Sequence, residues 1–194
     1  MIRLAQPSDA PAILDIYAPY IRNTSLTFET EVPTMTEFGN RIKSYLENWP
    51  WLVYEENGII GGYAYASRYR ERVAYQWGVE SSVYIHDDFQ KQNIGKALYG
   101  ALIEIFKQQG YRNVYAVINL PNDKSVRFHE SCGFTYFATY ENVGYKLGKW
   151  KNVGWWQLVI NEFGMEPEAP IKFSELNKEF LPGIFSKAAS HIKK

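Results

Sequence analysis

The chain predicts an α+β (mixed α/β) fold, with one mixed sheet and helices on both of its faces. Three observations lead there. Two amphipathic helical stripes open the chain, an Asn57-Gly58 turn joins two strand-like runs, and strands then alternate with helices in the order β-α-β-α-β-β. Of its 194 residues 46% are hydrophobic and 16% aromatic, which is enough apolar surface for a packed core.

Ile2-Arg3-Leu4 reads as a short first strand. Pro7-Ser8-Asp9 offers an N-cap to a helix whose apolar face is Ile13, Ile16, Tyr17, Tyr20 and Ile21. Thr34-Met35-Thr36-Glu37 is a capping box, and Phe38, Ile42, Tyr45 and Leu46 stripe the helix behind it. Residues 51–55 and 59–67 form a hairpin, because Asn-Gly supplies the two positive φ angles of a tight turn. Residues 73–85 read as one long strand with a bulge at Gly78. Ala97, Leu98, Ala101, Leu102, Ile105 and Phe106 mark a helix that stops near Gly110. Residues 114–118 are a buried-type strand, and Asn122 caps a helix that runs to Cys132 and is ended by Gly133. Residues 134–140 and 155–161 are further strands, joined by a connector rich in Gly and Lys. The pattern changes after Glu162. Residues 1–163 are expected to form one domain, and 164–194 a C-terminal extension that starts as a linker and ends weakly helical.

Lys and Arg together number 21, as do Asp and Glu, and this balance argues against nucleic acid as the main partner. Cys132 is the one cysteine, so no internal disulfide forms, as suits a reducing cytoplasm. The first residues carry no signal-peptide pattern, and no apolar run reaches the roughly 18 residues of a membrane span. A cytoplasmic protein without a membrane partner is expected. His86, His129 and His191 stand far apart without ligand spacing, so no metal is expected.

Residues 82–98 are the most informative. An apolar strand enters a short polar, basic turn, which enters a helix opening Ile94-Gly95-Lys96. Such a turn aims several free backbone N–H groups at one spot, at the positive end of a helix dipole, and that spot suits phosphate.

Three stretches carry a resemblance. Gln90-Lys91-Gln92-Asn93-Ile94-Gly95 resembles the pyrophosphate loop of the GCN5-related N-acetyltransferases, the GNAT family, usually Gln/Arg-x-x-Gly-x-Gly/Ala. Asn122-x-x-Ser125-x-x-Phe128-His129-x-x-Cys132-Gly133-Phe134 resembles their second cofactor segment. Residues 143–157 resemble the tail of the phosphinothricin and methionine sulfoximine acetyltransferase branch, and the likeness spans about residues 1–163. The family usually has Gly where this chain has Asn93, and Asn is the non-Gly residue that best tolerates positive φ.

The resemblance implies the GNAT fold, whose central sheet is mostly antiparallel, and acetyl-CoA as cosubstrate. The amides of Gln92, Asn93, Ile94, Gly95 and Lys96 would hold the diphosphate, with Lys91 and Lys96 adding charge. Val83, Tyr84 and Ile85 would offer a strand edge to the pantetheine arm, with Val83 or Tyr84 steadying the oxyanion. Asn122 would contact that arm or serve only as a cap, and Ser125 and Phe128 share its helix face. Glu80 would be the general base, its pKa raised by burial among aromatic rings, or would only order substrate or pair with an arginine. His129 would protonate the departing thiolate or be only a packed histidine. For the acceptor, Phe28, Glu29, Arg68, Tyr69, Arg70 and Tyr84 are candidates, because arginine forks bind carboxylates. Lys146, Lys149 and Lys151 shape the pocket or line a solvated strand edge. Cys132, beside a helix end, reads as packing rather than as a nucleophile. Expected chemistry is direct acetyl transfer to the α-amine of a small amino acid or analogue, of the phosphinothricin, methionine sulfone or methionine sulfoximine type, by a homodimer. The alternatives are a polyamine or protein N-terminus as acceptor, or a non-catalytic acyl-CoA-binding module.

Overall fold

The computed structural model describes residues 1–193. Seven strands form a single sheet: β1 (Ile2–Leu4), β2 (Trp51–Glu56), β3 (Ile59–Arg68), β4 (Gly78–Ile85), β5 (Asn113–Leu120), β6 (Thr135–Lys146) and β7 (Lys149–Val159). Their order across the sheet is β1-β2-β3-β4-β5-β7-β6. The sheet is mostly antiparallel, since β4 and β5 form the one parallel pair. Five helices cover it: α1 (Ala10–Asn23), α2 (Met35–Asn48), α3 (Ile94–Gln109), α4 (Asp123–Ser131) and α5 (Leu181–Ala189).

Strand alternation divides the core into two layers. Trp51, Val53, Ile60 and Tyr63 pack against α1 and α2 through Ile13, Tyr17, Phe38 and Ile42. Leu52, Ala64, Val79, Val114 and Trp156 point the other way, onto Leu98, Leu102, Ile105 and Phe106 of α3.

Local signals explain most element ends. Thr34 Oγ1 accepts from Glu37 N (3.2 Å) and Glu37 Oε2 accepts from Thr34 N (2.8 Å), the capping box that starts α2. Asn57 (φ 52°) and Gly58 (φ 79°) make the β2–β3 turn, and Gly110 (φ 89°) ends α3. Three expectations need correction. Asp9 does not cap α1; residues 7–9 form a 3₁₀ turn, and the Asp9 carboxylate accepts from Gln6 N and from Arg3 instead. Residues 73–85 are not one strand: Val73–Tyr75 is a 3₁₀ turn and β4 begins at Gly78, which starts the strand and does not bulge it. The connector between residues 140 and 155 is strand, because β6 and β7 continue into a long hairpin turned at Leu147 (φ 51°) and Gly148 (φ 74°).

Residues 164–193 lie against the rest of the protein. Trp77 Nε1 donates to Glu168 O (2.8 Å), and Ile171 N donates to Gln109 O (2.8 Å). The buried Gln109 amide ties Asn48 O (2.9 Å) to Ile171 O (2.8 Å). Phe173, Leu181 and Ala188 are buried in the same core layer as α3. Phe173→Ala should therefore lower the stability of the whole fold by about 3–5 kcal/mol in a single urea transition. A separate low-stability transition, with the main one unmoved, would show instead that the extension melts by itself.

Candidate active site

The site exists because two strands part. β4 and β5 pair only from Gly78–Asn113 to Glu80–Tyr115. Beyond that point β4 stays with β3 as far as Ile85, and β5 stays with β7 as far as Leu120. Ser81 Oγ reaches Tyr115 O at 3.4 Å where the ladder ends. A cleft of about 360 Å³ opens between the strands, and Val83, Ile85, Gly95, Asn119, Asn122 and Phe128 are among the residues lining it.

The free edge of β4 can be assigned. His86 N donates to Gly61 O on β3 (3.0 Å), so by two-residue alternation Tyr84 also turns its N–H and C=O to β3. Val83 and Ile85 turn theirs to the cleft. This corrects the expectation for Tyr84. Its backbone is committed to β3, and its ring packs on the α1 side, 5.0 Å from the ring of Tyr17 and 5.1 Å from that of Tyr20.

Below the cleft the turn from β4 to α3 has the anticipated geometry. Gln90 N closes the Asp87–Phe89 turn by donating to Asp87 O (3.3 Å), and Lys124 Nζ holds the Gln90 side chain at 2.6 Å. Lys91 (φ 64°) and Asn93 (φ 65°) are both left-handed, so Asn93 adopts the conformation for which the family uses Gly. The positive φ of Lys91 had no sequence signal. Ala97 N, donating to Asn93 O (3.0 Å), is the first α3 amide with a backbone acceptor. Among the described residues, the amides of Gln92, Asn93, Ile94, Gly95 and Lys96 have no protein acceptor. Gly95 lies under Phe128, where a Cβ would come within 3.2 Å of the ring. Unpaired amides at a helix start, beside an open strand edge, suit a diphosphate continued by an extended amide-bearing arm.

On α4, Asn122 Oδ1 accepts from Ser125 N (3.2 Å), so Asn122 is a true cap while also lining the cleft. His129 is buried, and both of its nitrogens have partners. Nδ1 lies 2.8 Å from Ser125 O, which can only accept, so Nδ1 carries the proton. Nε2 then accepts from the Tyr99 hydroxyl (2.9 Å), to which Ser81 Oγ donates (3.1 Å). Burial pushes the His129 imidazole below its ordinary value, and the Ser125 carbonyl opposes this only partly. Tyr99 is the residue that sequence reasoning missed. Its hydroxyl links His129 to β4, yet in the sequence it is one more ring on the apolar stripe of α3. Burial raises the pKa of Cys132, which keeps it a thiol.

The opposite face of β4 holds Glu80, Ser82 and Tyr84. Burial pushes the Glu80 carboxyl up to about 7, with Arg70 pulling the other way. Around it, Tyr69 stacks on Tyr115 with centroids 4.0 Å apart. Gly78 permits this stack, since a Cβ there would lie 2.9 Å from Tyr115 and 3.2 Å from Tyr69. The Arg70 guanidinium lies 5.2 Å from the Tyr69 ring centroid and 5.9 Å from that of Trp155. Arg68 is not with them. It opposes Val79, on the α3 face, and pairs with Glu71 at 3.0 Å, so the arginine near Glu80 is Arg70. Glu29 is not an isolated carboxylate, because Arg41 holds it at 2.7 and 3.3 Å and the Tyr17 hydroxyl at 3.1 Å. The Phe28 ring occupies the space a Cβ on Gly144 would need, and Lys146 Nζ donates to Thr27 O (2.7 Å). Phe28 and Lys146 thereby fix the segment holding Glu29 to the β6–β7 hairpin, whereas Lys149 and Trp150 are exposed.

Residues 2–155 match the model of the acetyltransferase (GNAT) domain. The chain belongs to the GNAT acetyltransferase family. Among GNAT relatives, it is 42% identical over 156 residues to a phosphinothricin N-acetyltransferase from Streptomyces viridochromogenes, covering 80% of this chain and 85% of that one. It is 33% identical over 165 residues to an L-methionine sulfoximine/L-methionine sulfone acetyltransferase from Salmonella typhimurium, covering 83% and 95%. A crystal structure of a GNAT phosphinothricin acetyltransferase from Sinorhizobium meliloti in complex with AcCoA superposes with a TM-score of 0.81 at 31% identity, covering 87% of this chain and 92% of that one.

Opposite pKa shifts on the two sides of β4 can be checked directly. In a carboxyl-detected NMR titration, Glu80 should lose its proton with a midpoint near pH 7, while His129 should remain neutral down to below pH 6.5. Glu80 titrating in the ordinary carboxylate range would show that the site is wetter than its geometry indicates.

Proposed function

We propose that this GNAT enzyme transfers acetyl from acetyl-CoA to the α-amine of a small amino acid or analogue, of the phosphinothricin, methionine sulfone or methionine sulfoximine type. One observation carries the reading. A half-buried carboxylate with a pKa near 7 stands at the last β4–β5 pair, while the cofactor-type edge of the same strand faces the adjoining cleft. The substrate classes named for the relatives agree with it.

The residues divide the work. Amides 92–96, with Lys91 and Lys96, suit the diphosphate of acetyl-CoA, and Val83, Ile85 and Asn122 suit its pantetheine arm. Bound there, the cosubstrate supplies an activated acetyl thioester. Glu80 takes a proton from the substrate ammonium, directly or through water, which frees the nitrogen lone pair for attack. At pH 7 about half of a group with this pKa is ionised, so the base is present without added cost. Val83 N–H, turned into the gap, donates to the oxyanion. His129 acts on the sulfur side. As a neutral imidazole whose one proton is held on Nδ1 by Ser125 O, it has none to give through Nε2; it holds the Tyr99 and Ser81 hydroxyls in line beside the gap, and the departing thiolate takes its proton from water. Arg70 and the Tyr69–Tyr115 stack receive the acceptor's carboxylate, while Glu29 and Arg41 present a fixed ion pair to its polar head. Phe28 and Tyr84 close the pocket as walls.

We further propose a cytoplasmic homodimer in which residues 164–193 complete the 1–163 domain. β6 is an edge strand with exposed Tyr136, Phe137 and Tyr145, an apolar surface that a second copy would cover. The single cysteine suits a reducing compartment.

Glu80→Gln should lower kcat on the order of 10²–10⁴-fold. In the parent enzyme kcat/KM should rise with pH through about 7, because the base must lose its proton, and the variant should lose that limb. An unchanged pH profile would remove Glu80 as the base. In a free-thiol assay with an amine panel, small amino acids bearing an anionic or strongly polar side chain should outrun polyamines and peptides with free N-termini. The reverse order would reassign the acceptor.

A further inference from the structure

Residues 181–193 lie outside the matched acetyltransferase region, yet they touch its phosphate loop. α5 packs on α3, with Leu181 and Ala188 buried and Ile184, Phe185 and Ile192 against the same core. Beyond α5 the chain turns back under the loop. Lys193 N donates to Gln92 O at 2.9 Å, and Asn93 Nδ2 reaches His191 O at 3.4 Å.

We infer that the segment His191–Lys193 is a positioning element for the cosubstrate's diphosphate, acting through the Gln92–Asn93 peptide. A trans peptide is planar, so its C=O and N–H point in opposite directions. Lys193 holds the Gln92 carbonyl on the outer side, and this aims the Asn93 amide the opposite way. The constraint matters at this peptide in particular. Lys91 and Asn93 on either side of Gln92 are both left-handed, and this turn has no glycine between Phe89 and Gly95 to make that conformation cheap. The Asn93 side chain gains a second anchor on the same segment, which a glycine could not make. Asn at the position where the family favours Gly thus comes together with an appended segment whose carbonyl it binds. The inference rests on the reading of residues 92–96 as the diphosphate cradle.

The test uses the full chain. Lys193→Pro removes the amide donor, whereas Lys193→Ala keeps it and removes only the side-chain charge. KM and kcat are measured with acetyl-CoA and with S-acetylpantetheine, which lacks the diphosphate. Lys193→Pro should raise KM for acetyl-CoA about three- to tenfold, the loss of one hydrogen bond. Its kcat at saturation and its kcat/KM with S-acetylpantetheine should stay unchanged, and Lys193→Ala should match the parent. An unchanged KM in the proline variant, equal losses with both thioesters, or equal losses in both variants would overturn the inference. Should the proline variant fail to fold, hydrogen exchange on the parent protein decides. Acetyl-CoA should slow exchange at residues 191–193, since coupling between two sites is reciprocal, and an unchanged rate there would overturn the inference. Calorimetry on the parent separates the two layers: no uptake of acetyl-CoA would bring down the cradle itself, whereas uptake with an indifferent tail refutes only the tail's role.

Discussion

The parallel ladder between β4 and β5 stops after Glu80–Tyr115, and the rest of the site depends on that stop. A continued ladder would consume the N–H and C=O groups of Val83 and Ile85 and leave no room beside them. Because each strand keeps its other partner, the sheet stays whole while its middle opens. Strand alternation then assigns the chemistry. Backbone edge groups face the gap, Glu80 projects from one face of β4, and Ser81 projects from the other toward Tyr99 and His129. One interruption in one pairing therefore places a free strand edge, a carboxyl with a raised pKa and the Ser81–Tyr99–His129 hydrogen-bonded line within a few residues of each other.

Burial then sets the protonation states. Loss of water raises the carboxyl of Glu80 and lowers the imidazole of His129, because in both cases the charged form is disfavoured. The result is a carboxyl that ionises near neutral pH on one side and a neutral, doubly hydrogen-bonded histidine on the other. Tyr99 explains how a buried ring can still communicate with β4. Its hydroxyl accepts from Ser81 and donates to Nε2, so the three groups form one continuous line.

Much of this was legible in the sequence, for local reasons. The capping box at Thr34–Glu37, the Asn57-Gly58 turn, the stop at Gly110 and the run from β4 into α3 are all set by residues close together in the chain. The Asn93 conformation was legible too, because few side chains other than Asn tolerate it. What escaped depends on distant partners. Arg68 and Arg70 look equivalent in sequence, yet Arg68 ends β3 opposite Val79 while Arg70, beyond the strand, lies over Tyr69 beside Glu80. Glu29 was named as an acceptor candidate without its partner, because Arg41 reaches it only once α2 packs alongside. The residues between 140 and 155 looked like a connector because Gly and Lys are poor strand formers in isolation, and pairing between β6 and β7 overrides that preference. Tyr99 was hidden by its own apolar setting, and the docking of residues 171–193 on α3 and on the turn before it has no local signature at all.

The central claim is that the amides opening α3 and the free edge of β4 receive one ligand together. An amide-resolved NMR titration of the protein with acetyl-CoA tests it most directly. Resonances of Gln92 to Lys96, Val83 and Ile85 should shift in step along a single saturating curve, with Tyr84 moving far less because its amide belongs to β3. Saturable binding that leaves residues 92–96 unmoved, or that shifts them without Val83 and Ile85, would contradict the account.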